Sequence, residues 1–128
     1  MTITKLDFKP AKIGATYKIM NETDPNGLLP TDPGAKLDDG KILAGVLGDF
    51  SLALKEVAKV GTFGAKKYSR GGWQHVENGA ERYYDALWRH LLDERHEPID
   101  QDSGLLHSAH LAWNCLARLE LILREKLE

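Results

Sequence analysis

The sequence predicts an all-α protein, a small bundle of about three main helices behind a long irregular N-terminal arm, with the bundle completed by oligomerisation. Three observations lead there. Apolar residues recur at three- and four-residue spacing through the second half of the chain, the period of a helix that buries one face. Four of the five prolines (Pro10, Pro25, Pro30, Pro33) lie before residue 48, along with Gly14, Gly27, Gly34 and Gly40, so that region reads as loops. The second half carries no Pro/Gly-punctuated strand pattern, no internal repeat and no low-complexity tract.

The arm covers residues 1–47, with a short strand or hairpin expected around Thr16 to Met20. An irregular stretch of ~40 residues is unusual inside a compact domain, so the arm is expected to wrap a neighbouring subunit or a ligand. The helical domain follows at residues 48–128. Its first helix is expected from Asp49 to Lys59, capped by Asp49, with Phe50, Ala53, Leu54 and Val57 as its apolar stripe and Gly61 as its end. Thr62 to Tyr68 reads as a separate helical turn, and Ser69 to Trp73 as a loop. The second helix is expected to start near Asn78, where Asn78 and Glu81 form a capping-box pattern, and to end before Pro98. The third starts after Ser103 and runs to the C-terminus, with Leu106, Trp113, Leu116, Leu119 and Leu123 on its apolar side. Three helices of this length make a thin core, and the third carries more apolar surface than two partners can cover. A homo-oligomer is therefore expected, with bundle packing across the subunit boundary.

At 128 residues the chain is read as one domain's worth of sequence, and 42% hydrophobic with 28% charged residues suits a soluble globular protein. A net charge of −2 argues against a sequence-specific nucleic-acid binder that relies on a basic excess. Lys66, Lys67, Arg70, Arg82 and Arg89 could still form a local basic patch. The single cysteine, Cys115, cannot form an intrachain disulfide and reads as a small core residue, which fits a reducing cytoplasm. Met1 to Phe8 lacks the apolar run of a signal peptide, and no stretch approaches the ~20 apolar residues of a membrane span. No membrane partner is expected.

The chemistry concentrates between Asp100 and Asn114. His107 and His110 are three apart, with Asn114 four further on, so all three share one helical stripe just after a carboxylate-rich turn. Such a stripe among leucines suits a metal, a nucleotide or a buried hydrogen-bond network. Arg82, Asp85 and Arg89 share a stripe of the second helix, with His90 beside it. That stripe is either a solvated face with intrahelical ion pairs or a pair of guanidinium forks aimed at phosphate. His90, His107 and His110 could converge where the two helices pack, with Asp93, Asp100 or Asp102 completing a metal site. Three imidazoles suit Zn, Fe, Ni or Mn better than Mg. Equally, each histidine could be an interhelical hydrogen-bond partner.

Gly64-Ala65-Lys66-Lys67-Tyr68 is a second anion-friendly element, though far from a P-loop pattern. Tyr68, Trp73, Tyr83 and Tyr84 offer faces for a base, or simply pack. There is no Gly-x-Ser-x-Gly elbow, and Cys115 sits in an apolar helix without an electropositive neighbour.

Several segments together resemble a known phage-borne family. They are Gly34-Ala35-Lys36-Leu37-Asp38-Asp39-Gly40-Lys41, Gly64-Ala65-Lys66-Lys67-Tyr68, Trp73, Arg82-Tyr83-x-Asp85-Ala86-Leu87-x-Arg89-His90, and Asp102-Ser103-Gly104-Leu105-x-His107-x-x-His110-x-x-x-Asn114. In this order they look like the dATP/dGTP diphosphohydrolase N-terminal domain family, over roughly residues 34–120. The third helix is also similar to a metal-binding helix of MazG-like all-α nucleotide pyrophosphohydrolases. His107-x-x-His110 stands where those enzymes carry Glu-x-x-Asp, and no Glu-x-x-Glu precedes it; Glu81 and Asp85 are the nearest carboxylates on the second helix.

The resemblance implies a phosphohydrolase that releases pyrophosphate from (deoxy)purine nucleoside triphosphates by metal-assisted attack of water. Under that reading the catalytic residues are Asp85, His90, His107 and His110. Lys66, Lys67, Tyr68, Trp73, Arg82, Arg89 and Asn114 bind substrate. His90, His107, His110 and Asp102 hold a divalent metal, whether Mg, Mn or a transition metal. Two other functions fit the same residues: a non-catalytic protein that sequesters a nucleotide or nucleotide signal, as in anti-defence, and a structural helical oligomer. As a phage protein it would work in the cytoplasm of the infected host cell.

Overall fold

A computed structural model describes residues 22–127 and divides the chain between Val46 and Leu47 into two compact units. The expected strand around Thr16 to Met20 lies outside the described residues. The all-α expectation holds. Among the described residues there are three α-helices, α1 (Ser51–Lys67), α2 (Gly79–Asp93) and α3 (His107–Leu127), and no strand. Short 3₁₀ helices occupy Ala44–Phe50 and Gly72–His75.

The described part of the first unit is a series of turns organised by one carboxylate. Asp24 is buried and accepts backbone N–H groups from Asn26 (2.7 Å), Lys36 (2.9 Å) and Leu28 (3.4 Å). These bonds hold its carboxyl below the usual range, the one from Lys36 most of all, against the opposing effect of burial. Gly34 sits at φ 85°, a left-handed conformation that a side chain at that turn would strain.

In the second unit α3 is the central element, packed mainly along α2 and less extensively against α1. α1 does not stop at Gly61. It runs on to Lys67, so the expected separate turn at 62–68 belongs to the same helix. Gly61 has a packing role: a Cβ there would lie 3.0 Å from Nε1 of Trp113, so the glycine lets the α3 indole approach the helix backbone. Asp49 is not the cap. It lies in the 3₁₀ helix, Phe50 occupies the N-cap position, and no side chain bonds the helix end. Phe50 and Leu54 are exposed, and Val60 is the buried residue of α1. The second half of the helix therefore does the packing that was expected of the first.

α2 begins where expected, but Asn78 adopts a left-handed conformation (φ 54°, ψ 38°) and makes no side-chain cap bond, so the Asn78/Glu81 capping box does not form. Its N-terminus is set by packing instead. Gly79 is buried, and a Cβ there would lie 2.7 Å from Cδ1 of Leu121. Between α2 and α3 an ordered loop is closed by the Ile99–Leu106 bridge and by Asp100 N–H to the Leu105 carbonyl (2.8 Å). It delays the start of α3 to His107, whose N–H donates to the Pro98 carbonyl (2.9 Å).

The largest departure from expectation concerns which face of α3 turns inward. Leu106, Leu116 and Leu119 are 42%, 50% and 51% exposed, whereas His107, Ala109, His110, Asn114 and Ala117 are buried. The spacing of His107, His110, Asn114 and Ala117 is that of a helix seam, so the inward stripe is polar and small. Cys115 is exposed as well, because one residue beyond Asn114 turns about 100° off that seam. Large apolar contact comes from aromatics. Trp73, Tyr83 and Trp113 meet edge to face at centroid separations of 5.7–6.5 Å, and the Tyr83 hydroxyl donates to the Trp73 carbonyl (2.8 Å).

Candidate metal and phosphate site

α2 and α3 pack so that His90 faces the seam occupied by His107 and His110. The rings of His90 and His110 stack nearly parallel, 4.5 Å apart at 11°. Nδ1 of His90 lies 2.9 Å from Nδ1 of His107, a contact in which one nitrogen donates and the other accepts. Phe63 of α1 closes one side, edge-on to His110 at 6.4 Å. Below the ring, Asn114 donates from Nδ2 to the His110 carbonyl (2.8 Å), which fastens the side chain inside α3.

The loop supplies the carboxylate. Oδ2 of Asp100 accepts Ser103 N–H (2.9 Å) and the Ser103 hydroxyl (2.7 Å), while Ser103 Oγ also meets Nε2 of His110 at 2.6 Å. One donor atom each from His90, Asp100 and His107 falls within a 4.8 Å group, close enough to share a cation. Two nitrogens and one oxygen suit a transition metal better than Mg, and neutral imidazole is the form that ligates.

Burial is the main influence on the imidazoles. It pushes His90 below its ordinary pKa, with the neighbouring His110 adding to the effect and Asp100 opposing it. His110 is lowered for the same first reason, again against the pull of Asp100. For Asp100 burial acts upward, but the two Ser103 hydrogen bonds and the adjacent His110 and His90 outweigh it and leave the carboxyl below its usual range. His90 and His110 are thus neutral imidazoles beside an ionised Asp100 at pH 7.

The other candidates are distributed around it. Asp102 points to Lys67, with Nζ and Oδ2 2.8 Å apart, and does not join the metal-competent group; Asp100 does. Through this pair the fold brings the end of α1, with Lys66 and the 78%-exposed Tyr68, to the rim of the loop. Lys67 also sits over the Phe63 and Tyr68 rings. Arg82, Asp85 and Arg89 are exposed on α2, and among the described residues no hydrogen bond or ion pair joins them to the cluster. Trp73 is engaged by Trp113, Tyr83 and the Arg124 guanidinium rather than presenting an open face. His75 and His96, the two remaining histidines, are exposed.

Ser103 is the participant that sequence reasoning misses, because by helical pattern it stands only as the residue before the third helix. The signal available was Asp100-x-x-Ser103-Gly104 after Pro98, a pattern for a side-chain-closed turn.

A family model described as dATP/dGTP diphosphohydrolase, N-terminal, matches residues 31–128. A dATP/dGTP diphosphohydrolase of Salmonella phage PMBT28 is 38% identical over 80 residues, which is 62% of this chain and 26% of that protein. The chain therefore spans about a quarter of that relative's length. No solved structure matches the chain.

Proposed function

Because the chain belongs to the dATP/dGTP diphosphohydrolase N-terminal domain family, we propose that it acts on (deoxy)purine nucleoside triphosphates at the His90/Asp100/His107 cluster, releasing pyrophosphate. The observation that carries this reading is the convergence of buried imidazoles and an ionised carboxylate beside a lysine-bearing helix end. In the reaction water attacks the α-phosphorus, the bond from that phosphorus to the bridging oxygen breaks, and pyrophosphate leaves with a nucleoside monophosphate and a proton as the other products.

His90, His107 and Asp100 would hold the divalent metal, which when bound polarises phosphate and acidifies water. The protein residues supply the rest. Lys67 exchanges Asp102 for phosphate oxygens and offsets their charge, helped by Lys66. Tyr68, exposed next to it, can stack on the base. His110, kept neutral by burial, can take the proton of the attacking water. Arg82 and Arg89 remain open on α2 for an anion approaching from solvent. The working form is a homo-oligomer, supported by the exposed leucines of α3.

One observation favours a second reading, a nucleotide binder that does not cleave. Glu81 and Asp85 of α2, at the wrong spacing for a Glu-x-x-Glu metal pair, are exposed and outside the metal-competent group. Product analysis separates the two. The purified chain is incubated with dATP, dGTP and ribonucleotides in the presence of Mg, Mn, Co, Ni or Zn. Pyrophosphate release that falls at least about a hundredfold in His107→Ala supports hydrolysis. Tight binding with recovery of unaltered nucleotide in every metal would replace it with the binder.

A further inference from the structure

The Ser103 hydroxyl stands between two groups that both lie at the cluster. It has one proton, and Oδ2 of Asp100, 2.7 Å away, is a carboxylate oxygen with none to offer. The hydroxyl therefore donates to Asp100. Its contact with His110 at 2.6 Å must then run the other way, with Nε2–H of His110 donating to Oγ. Three consequences follow from this valence count. Nε2 of His110 has no lone pair for a metal, which agrees with its place outside the metal-competent group. The lone pair of neutral His110 is left on Nδ1. Asp100 has Oδ2 tied down by the side chain and backbone of Ser103, which fixes the rotation of the carboxylate toward the His90–His107 pair.

We propose that Ser103 is a positioning residue: it locks His110 in the Nε2–H tautomer and, from outside the metal-binding group, orients Asp100 within it. The inference rests on the metal reading given above for its second half only. The chain Asp100–Ser103–His110 also explains why a serine followed by Gly104 precedes the helix without capping it. Gly104, at φ 73°, turns the backbone so that its N–H reaches the Asp100 carbonyl at 2.8 Å, and the hydroxyl is left to face the ring of His110. Hydrogen-bonded partners of this kind hold a ligating group in one tautomer and orientation, and their loss weakens metal binding by about ten- to a hundredfold.

The test uses the full chain, its Ser103→Ala and Ser103→Thr variants, and two readouts. The first is the nitrogen-15 spectrum of the histidine rings in metal-free protein, which reports each tautomer. Wild type and Ser103→Thr should show a single Nε2–H form for His110, and Ser103→Ala a mixture. The second is affinity for Zn and Co alone, by competition with a chromophoric chelator. Ser103→Ala should bind about ten- to a hundredfold more weakly, and Ser103→Thr should recover most of the loss. A His110 tautomer unchanged in Ser103→Ala overturns the proposal. If wild type binds neither metal, the metal reading fails, and the ring spectra still decide whether Ser103 fixes His110. Circular dichroism of Ser103→Ala guards against a fold effect in that variant.

Discussion

His107, His110 and Asn114 are more deeply buried than Leu111, Leu116, Leu119, Leu121 and Leu123 of α3, and each has a hydrogen-bond partner. Burying imidazoles in this way links folding to pH. His90 and His110 have folded pKa values below the 6.5 of the free side chain, so the unfolded chain binds more protons in the interval between. Stability is then fully present above about pH 6.5 and is lost as pH falls through it. Asp100 is also lowered, from 3.8, and adds a second loss at lower pH. Thermal melts should be flat from pH 7 to 8 and drop progressively below about 6.5, and His110→Gln should flatten that drop. A profile that is level down to pH 5 would contradict the assignment. The residue types of the site were legible in the sequence, since helical spacing alone puts His107, His110 and Asn114 in one row. Asp100 rather than Asp102 was not, because a loop has no fixed period and two carboxylates two apart look alike until the turn is built.

α1 shows how packing overrides propensity at the scale of one element. Glycine inside a helix costs roughly 1 kcal/mol, and Gly61 reads as an end. The helix continues because its second half has something to pack on: Trp113 meets Gly61, and Phe63 meets His110. Gly61 and Gly64 should therefore respond oppositely to substitution. Nothing lies within 4 Å of a Cβ at Gly64, so Gly64→Ala should stabilise by about 0.5–1 kcal/mol in urea unfolding. Gly61→Leu drives a side chain into the indole and should destabilise by roughly 1–3 kcal/mol. Equal shifts of the two would remove the packing explanation. Trp113 is the common partner of α1, Trp73 and Tyr83, and Trp113→Ala should cost about 3 kcal/mol in the same assay.

For the whole molecule the notable quantity is how little apolar side chain the second unit buries. Val60, Ala109 and Ala117 are the buried apolar residues among those described, and no large side chain is fully enclosed. Leu116 and Leu119 on α3, with Trp88, Leu91 and Leu92 on α2, remain at the surface. A helical unit of this kind is marginal by itself and gains most from self-association. Sedimentation should find an oligomer, and Leu116→Glu with Leu119→Glu should shift it toward monomer and lower the melting temperature. A monomeric wild type of undiminished stability would refute this. No described helix is long and apolar enough to cross a membrane.

The sequence by itself determined the helical class, the approximate places of α2 and α3, and the row of His107, His110 and Asn114 that the candidate cluster is built on. These rest on periodicity and composition, which act locally along the chain. Tertiary structure decided what those rules leave degenerate. A helix with a leucine stripe and a histidine stripe can bury either, and α3 turned the histidines inward because His90, Ser103 and Phe63 are there to satisfy and enclose them. The same choice left the leucines outside, carried α1 past its glycines, and brought Asp100 into the candidate metal group. Each outcome depends on groups far apart in sequence meeting in space, which no local pattern encodes.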